Sequence, residues 1–380
     1  MKLPPGLLVS DVSSTSAPLV CKLLKSLYGL RQASRQWYAK LSQALQSRGS
    51  THSFNDYSLF TKGSGDSLVV LAVYVDDIVL TGPNSVEISA LKQFLHHQFK
   101  IKDLGLLNCF LGIEVLYTPS GVLLHQPVCP LELHEKLQAG IGDSLPNPEV
   151  YRCLIRKLNF LNHTRPDLSF AIQHLSQFMH SPCVPHMKAA LHILIYLKGT
   201  SDFGLFLNNS QDLALKVFCD SDWGACPDIR RSVTGFCFLL GGSLISWKSK
   251  KQPVVSLSSA EAEYRALSKA VAEVSWLTRL LGDFSLPDLS HVPIFCDNQA
   301  AIHIAKNPVF HERTKHIELD CHFVRDKLVA GLVSLHHTST ASQLADILTK
   351  SLTRAAHYFL LDYVIKVIVR DTNTRALDVG

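Results

Sequence analysis

Residues 69–80, VVLAVYVDDIVL, form an apolar run broken only by two adjacent aspartates, Asp76 and Asp77. Glycines precede it (Gly63, Gly65) and Gly82-Pro83 follows it, which is the punctuation of a buried strand. Two charges inside such a run are costly to desolvate unless they are paired or metal-bound. The pattern therefore predicts a tight hairpin with the aspartates at its tip, held for a divalent cation. Helical spacing appears on both sides, over 34–48 (Trp37, Leu41, Leu45) and 84–99 (Val86, Ile88, Leu91, Phe94, Leu95). Residues 109–128 read as a strand pair turning at Pro119-Ser120-Gly121. From 150 to 198 the pattern is helical, with breaks at Arg165-Pro166-Asp167 and near Pro182 and Pro185.

The polar stretch at 208–212 is the clearest boundary. Beyond it, 213–220 is strand-like and 232–247 reads as a hairpin turning at Gly241-Gly242. A long helix, the strand VPIFC (292–296), a short helix, a helix near 314–329, the strand VSLHH (333–337) and a helix over 341–350 follow. That order indicates a mixed α/β domain. Residues 354–380 carry apolar positions without an evident partner.

Four carboxylates here have an ordinary explanation one at a time. Asp220 serves as a turn aspartate, Asp297 as the N-cap of the helix after VPIFC, and Asp346 as a solvated helix charge. Glu261 sits at capping-box spacing from Ser258. Glu263 has no such role. It shares a stripe with Leu267, Ala270, Val274, Leu277 and Leu281, about 200° from Glu261 at ~100° per residue. Two strand ends, a helix first turn and a late helix converge on one end of a sheet. This is the layout of a two-metal hydrolase, in which two oxygen-ligated ions about 4 Å apart activate water and stabilise the leaving oxygen.

Composition narrows the class. The 380 residues are 47% hydrophobic and 18% charged, a folded chain long enough for two or three domains. No apolar run is long enough to span a membrane and the N-terminus is a poor signal peptide, so a cytoplasmic or nuclear setting without a membrane partner is expected. The ten cysteines include no CxxC pair, so reduced thiols are expected. His311, His316, Cys321 and His322 fit no zinc-finger spacing. A net charge of +5 is compatible with nucleic acid without demonstrating it.

Read in order, MKLPPG, KSLYGLRQASRQWY, YVDDIVLTG, KDLGLLNCFLGIEV, NHTRPDLSFAIQHLSQFM, LKGT, DSDWGACPDIRRSVTGF, SWKSKKQPVVSLSSAEAEYRAL, CDNQAAIHIAKNPVFHERTKHIELDCHFVRD and QLADILTK form a specific series over residues 1–353. It resembles the C-terminal part of the Pol polyprotein of copia-type LTR retrotransposons, reverse transcriptase followed by ribonuclease H. The resemblance implies an α/β (α+β) fold. A truncated palm and thumb entry would occupy 1–149, a helical thumb or connection 150–212, a ribonuclease H-like mixed-sheet domain 213–353, and a divergent tail 354–380. It further implies that Asp76 and Asp77 are paired palm metal ligands. Gly29, Gln32 and Ala33 would floor the nucleotide pocket, and Phe110-Leu111-Gly112 would form the primer-grip hairpin.

In the ribonuclease H part the likeness implies an acidic quartet of Asp220, Glu263, Asp297 and Asp346 holding two Mg²⁺ or Mn²⁺, with His337 assisting product release. Ser258, Ser259, Asn298 and Gln299 would contact the RNA strand of an RNA–DNA hybrid. Arg230, Arg231, Lys248, Lys250 and Lys251 would grip phosphates. The family's third palm carboxylate and its fingers precede MKLPPG, so this chain alone is expected to lack polymerase activity. Arg156 stands where the family usually has glycine. A non-catalytic nucleic-acid-binding module and a decayed transposon remnant are the alternatives to a working nuclease.

Overall fold

The computed structural model describes residues 32–75, 77–125, 137–286, 289–307, 317–364 and 366–367. The chain divides into two compact units, one ending at Asp103 and joined by Asp283–Ser285, the other comprising Leu104–Gly282 and the chain from Leu286.

The first unit contains α1 (Ala33–Ser47), β1 (Thr51–His52), β2 (Leu59–Lys62), β3 (Val69–Tyr74), β4 (Asp77–Thr81) and α2 (Ser85–Phe99). Its strands form an antiparallel sheet in the order β1-β2-β3-β4. Alternation along β3 sends Val69, Leu71 and Val73 to a core shared with Phe60. Leucines four apart on each helix, Leu41 and Leu45 on α1 and Leu91 and Leu95 on α2, close that core. Asn84 starts α2 by accepting the Glu87 N–H at 2.9 Å.

The second unit runs through β5 (Cys109–Phe110), β6 (Ile113–Thr118), β7 (Gly121–His125), α3 (Pro148–Leu161), α4 (Ser169–Ser176), α5 (Val184–Gly199), β8 (Phe203–Asn208), β9 (Leu215–Asp222), β10 (Val233–Leu240) and β11 (Ser243–Lys251). It continues with α6 (Ser259–Asp283), β12 (Val292–Cys296), α7 (Gln299–Lys306), α8 (Glu318–Val329), β13 (Val333–His337), α9 (Arg354–Val364) and β14 (Lys366–Val367). One sheet has the order β14-β8-β7-β6-β5 and is antiparallel throughout. The other has the order β11-β10-β9-β12-β13. In it β9, β10 and β11 are antiparallel, while β12 and β13 run parallel to β9. Three meandering strands followed by two parallel ones reached through helices are the mixed sheet of a ribonuclease H-like fold. Helices α3, α4 and α5 pack around Tyr151, Ile155, Leu158, Ile172, Leu175 and Ile193.

Two elements differ from the sequence expectation. The helix expected over 341–350 is a pair of short 3₁₀ turns, Thr340–Ser342 and Leu344–Leu348. Asp346 lies in the second and is buried, so it is not a solvated helix charge. Gln343, itself fully buried, holds this turn by accepting the Ala345 N–H at 3.2 Å and donating to the Cys219 carbonyl at 3.0 Å. Two of the apolar positions beyond 353 do have a partner. Leu360 and Leu361 of α9 join Ile347, Leu348, Leu205, Cys237 and Leu344 in one core cluster. Burying each leucine contributes about 1.5–3 kcal/mol.

Candidate active site

The centre of the mixed sheet explains how a carboxylate comes to be buried there. On β9, Val217 and Cys219 point to one face and are fully buried, and Asp220 on the other face is 1% exposed. Direct antiparallel pairing places Asp220, Gly235 and Ser249 on one rung, hence on the same face. Gly235 is required there. A Cβ on it would lie 2.5 Å from the Thr349 methyl and 2.9 Å from the Leu348 Cβ. Its absence lets the 344–348 turn approach the sheet and bring Asp346, Thr349 and Lys350 to Asp220.

The resulting contacts are specific. The Thr349 hydroxyl donates to Asp220 Oδ2. Lys350 Nζ lies 2.9 Å from Asp346 Oδ1 and 3.7 Å from Asp220 Oδ2. From α6, Glu263 accepts the Ser221 N–H at 3.2 Å through Oε1, and its Oε2 faces the Cys296 thiol at 3.8 Å. Ligand atoms of Glu263, Cys296 and Asp297 all lie within 4.8 Å of one another. Asp297 follows β12 and accepts the Thr340 hydroxyl at 2.9 Å. It is not the N-cap of α7: Asn298 takes that role, accepting the Ala301 N–H at 2.9 Å, and so leaves the Asp297 carboxylate to the cluster.

The electrostatics follow from burial. Desolvation raises the pKa of Glu263, and the charge of Asp220 raises it further. Desolvation and Asp220 act on Asp346 in the same direction. Asp220 is also raised by burial, an effect that Lys350 and Thr349 counter. For Lys350, burial works against the ammonium, but Asp220 and Asp346 outweigh it and the pKa rises. Three buried carboxyl groups and a fourth beside them, compensated by one lysine, suit a divalent cation. Their donors are oxygens, with the Cys296 sulfur beside Glu263 and Asp297.

The other expected residues fall into groups. His337 is exposed and ends β13, opposite Cys296 in the register. Ser258 is exposed and caps α6 by accepting the Glu261 N–H at 3.2 Å. Ser259 and Gln299 are exposed first residues of helices. Arg230 and Arg231 lie between β9 and β10. Lys251 shares a face with Asp222 and reaches the Cys226 sulfur at 3.1 Å. Lys248 and Lys250 pair through Phe236 and Thr234 with Cys219 and Ser221, so they project from the face opposite Asp220.

Glu261, expected to face away from Glu263, is buried as well, and Arg265 compensates its charge through 3.0 and 2.9 Å hydrogen bonds. In the first unit Asp77 is exposed beside the hairpin turn, where Tyr74 pairs with Asp77 and Val75 has a φ of 50°. The Val75 carbonyl accepts the Trp37 indole N–H at 2.9 Å. Gln32 is the N-cap of α1 and Ala33 its first residue. Phe110 and Ile113 flank a two-residue turn in which Leu111 and Gly112 have φ of 51° and 78°. Asp76, Gly29, His311 and His316 lie outside the described residues. Sequence reasoning missed Thr349, Thr340 and Lys350. The four-residue spacing of Asp346 and Lys350 is the one signal that points to the last of these.

Comparison with known proteins places these sites in context. A family model described as reverse transcriptase (RNA-dependent DNA polymerase) matches residues 1–129. The chain is 40% identical over 375 residues to the retrovirus-related Pol polyprotein from transposon RE2 of Arabidopsis thaliana, covering 94% of this chain and 25% of that protein. It is 34% identical over 371 residues to the corresponding polyprotein from transposon TNT 1-94 of Nicotiana tabacum, covering 88% of this chain and 27% of that one. The chain thus spans about a quarter of the length of these curated relatives. Among solved structures it is similar to ribonuclease H1 from Halobacterium salinarum at 16% identity and a TM-score of 0.28, covering 36% of this chain and 94% of that one. Among the described residues no helix is long and apolar enough to cross a membrane.

Proposed function

Since the chain belongs to the Pol polyproteins of copia-type retrotransposons and joins a reverse-transcriptase region to a ribonuclease H-like domain, we propose that its mixed-sheet site cleaves the RNA strand of RNA–DNA hybrids. The observation that carries this reading is the convergence of Asp220, Glu263, Asp297 and Asp346 from four separate elements, three of them buried. A fold that needed only a core would not gather charges there.

Asp220, Glu263, Asp297 and Asp346 would hold two Mg²⁺ or Mn²⁺, which when bound supply an activated water and stabilise the leaving 3′-oxygen. The chain's own groups fix the carboxylates in advance. Thr349 orients Asp220, the Ser221 amide orients Glu263 and Thr340 orients Asp297. Cys219 and Cys296 are fully buried, and the Cys296 thiol lies 3.8 Å from Glu263. His337, exposed at the end of β13, would assist product departure. Ser258, Ser259 and Gln299 offer polar groups to the 2′-hydroxyls of the RNA strand, while Asn298 spends its side chain on α7. Of the basic set, Arg230, Arg231 and Lys251 are the better phosphate contacts for this site, because Lys248 and Lys250 leave the sheet from its other face.

The test is cleavage of a labelled RNA–DNA hybrid by the full chain in Mg²⁺. Asp297→Asn is expected to lower the rate at least ~100-fold, no less than losses reported for residues that merely support metal ligands. Undiminished cutting by that variant would overturn the assignment.

A further inference from the structure

Lys350 is the one cation that touches two members of the quartet among the described residues, at 2.9 Å from Asp346 and 3.7 Å from Asp220. Its backbone is fixed, since its N–H donates to the Asp346 carbonyl at 3.2 Å. Its side chain is 31% exposed, against 2% for Asp220 and 7% for Asp346. The ammonium therefore enters the cluster from the solvent side on a flexible stem, while the two carboxylates it bridges are buried and Asp220 is held by the Thr349 hydroxyl. A lysine side chain can swing away without disturbing the fold, because its head is a compact, strongly hydrated charge on a four-carbon chain. Thr349, the adjacent residue, holds Asp220 through its own hydroxyl, independently of the Lys350 side chain.

We propose that Lys350 is a tethered internal cation that occupies the Asp220–Asp346 position in the metal-free chain and must be displaced when a divalent ion binds between those two carboxylates. The lysine keeps like charges together until metal arrives. It also weakens binding at this position relative to the one formed by Glu263 and Asp297, so the two positions fill in sequence. Lys350 is a positioning residue in this scheme, and it makes the site responsive to the free concentration of divalent ions. The inference rests on the two-ion reading of the same site.

The experiment uses Mn²⁺ as the probe and calorimetric titration of the full chain, with no nucleic acid present. Lys350→Met is expected to bind the weaker Mn²⁺ about tenfold more tightly than the unaltered protein, equivalent to ~1.4 kcal/mol. Its metal-free melting temperature is expected to fall while its Mn²⁺-saturated melting temperature stays close to that of the unaltered protein. Lys350→Arg, which restores a charge, should return the weaker affinity. Unchanged or weaker Mn²⁺ binding by Lys350→Met would overturn the proposal, as would the absence of Mn²⁺ binding in both proteins. Hybrid cleavage is measured separately. A chain that shows the Lys350 effect on Mn²⁺ but never cuts hybrid would refute the nuclease reading and leave this one standing.

Discussion

Asp77 and Asp220 are both aspartates on strands of a sheet, and both belong to families of metal-binding carboxylates by resemblance. Their surroundings differ. Asp77 is exposed at the foot of a two-residue turn, at the edge strand of a four-stranded sheet. Asp220 is 1% exposed on a central strand, with a threonine, a lysine and three further carboxyl groups around it. An exposed carboxylate remains solvated whatever else is present. A buried one must be given partners by the fold, and each partner is a separate residue that substitution can remove. The contrast makes the mixed-sheet site much the more sensitive of the two.

The largest expected effect is on activity. Asp220→Asn removes a proposed ligand and should lower hybrid cleavage at least ~100-fold while the protein still melts cooperatively; a smaller loss, read from initial rates, would put the buried site on a par with an ordinary surface charge. Next is Gly235→Val. Its side chain meets Thr349 and Leu348, and overpacking of this kind costs about 1–3 kcal/mol in denaturant unfolding. Gln343→Ala should cost a comparable ~1–3 kcal/mol, because the Cys219 carbonyl loses its donor in a buried setting.

The pH dependence of stability tests the burial of the mixed-sheet carboxyl groups. Asp346 and Glu263 have pKa values raised by burial, so in metal-free protein the unfolded chain gives up these protons first. Stability from this source is greatest below about pH 4, the unfolded carboxyl range, and falls as pH rises through the folded values. For Asp346 that value is about 7. Glu263→Gln should flatten the decline, and saturating Mg²⁺ should reverse it; a pH-independent melting temperature without metal would contradict the burial argument. The smallest effect belongs to Asp77→Asn, which should shift unfolding by no more than about 0.5 kcal/mol, as exposed substitutions do.

Much of the fold is legible from hydrophobic spacing alone. VPIFC and VSLHH are strands with the expected limits, and Gly241-Gly242 turns the β10–β11 hairpin at φ of 57° and 81°. Of the site, Glu263 is legible because its stripe is otherwise apolar. The rest required tertiary contacts. Glu261 reads as a solvent-side cap, yet Arg265 lets it be buried. The LADIL segment reads as helix, but Gln343 and the close approach permitted by Gly235 draw it into a 3₁₀ turn against β9. Lys350 looks like a helix-terminal surface charge until the turn places it between two carboxylates. The four-residue spacing to Asp346 gives half of that arrangement, but no local pattern contains the other half, since Asp220 lies more than a hundred residues away along the chain.

The packing of α9 bears on where this molecule can be cut. Leu360 and Leu361 cover Ile347 and Leu348, the same turn that presents Asp346. Excision at residue 353 would retain every carboxylate and strip the greasy lid from the segment that aims one of them. The smallest excerpt that keeps this turn covered is therefore longer than the stretch that carries the four carboxylates, and an expression boundary drawn by motif would fall inside the packed unit.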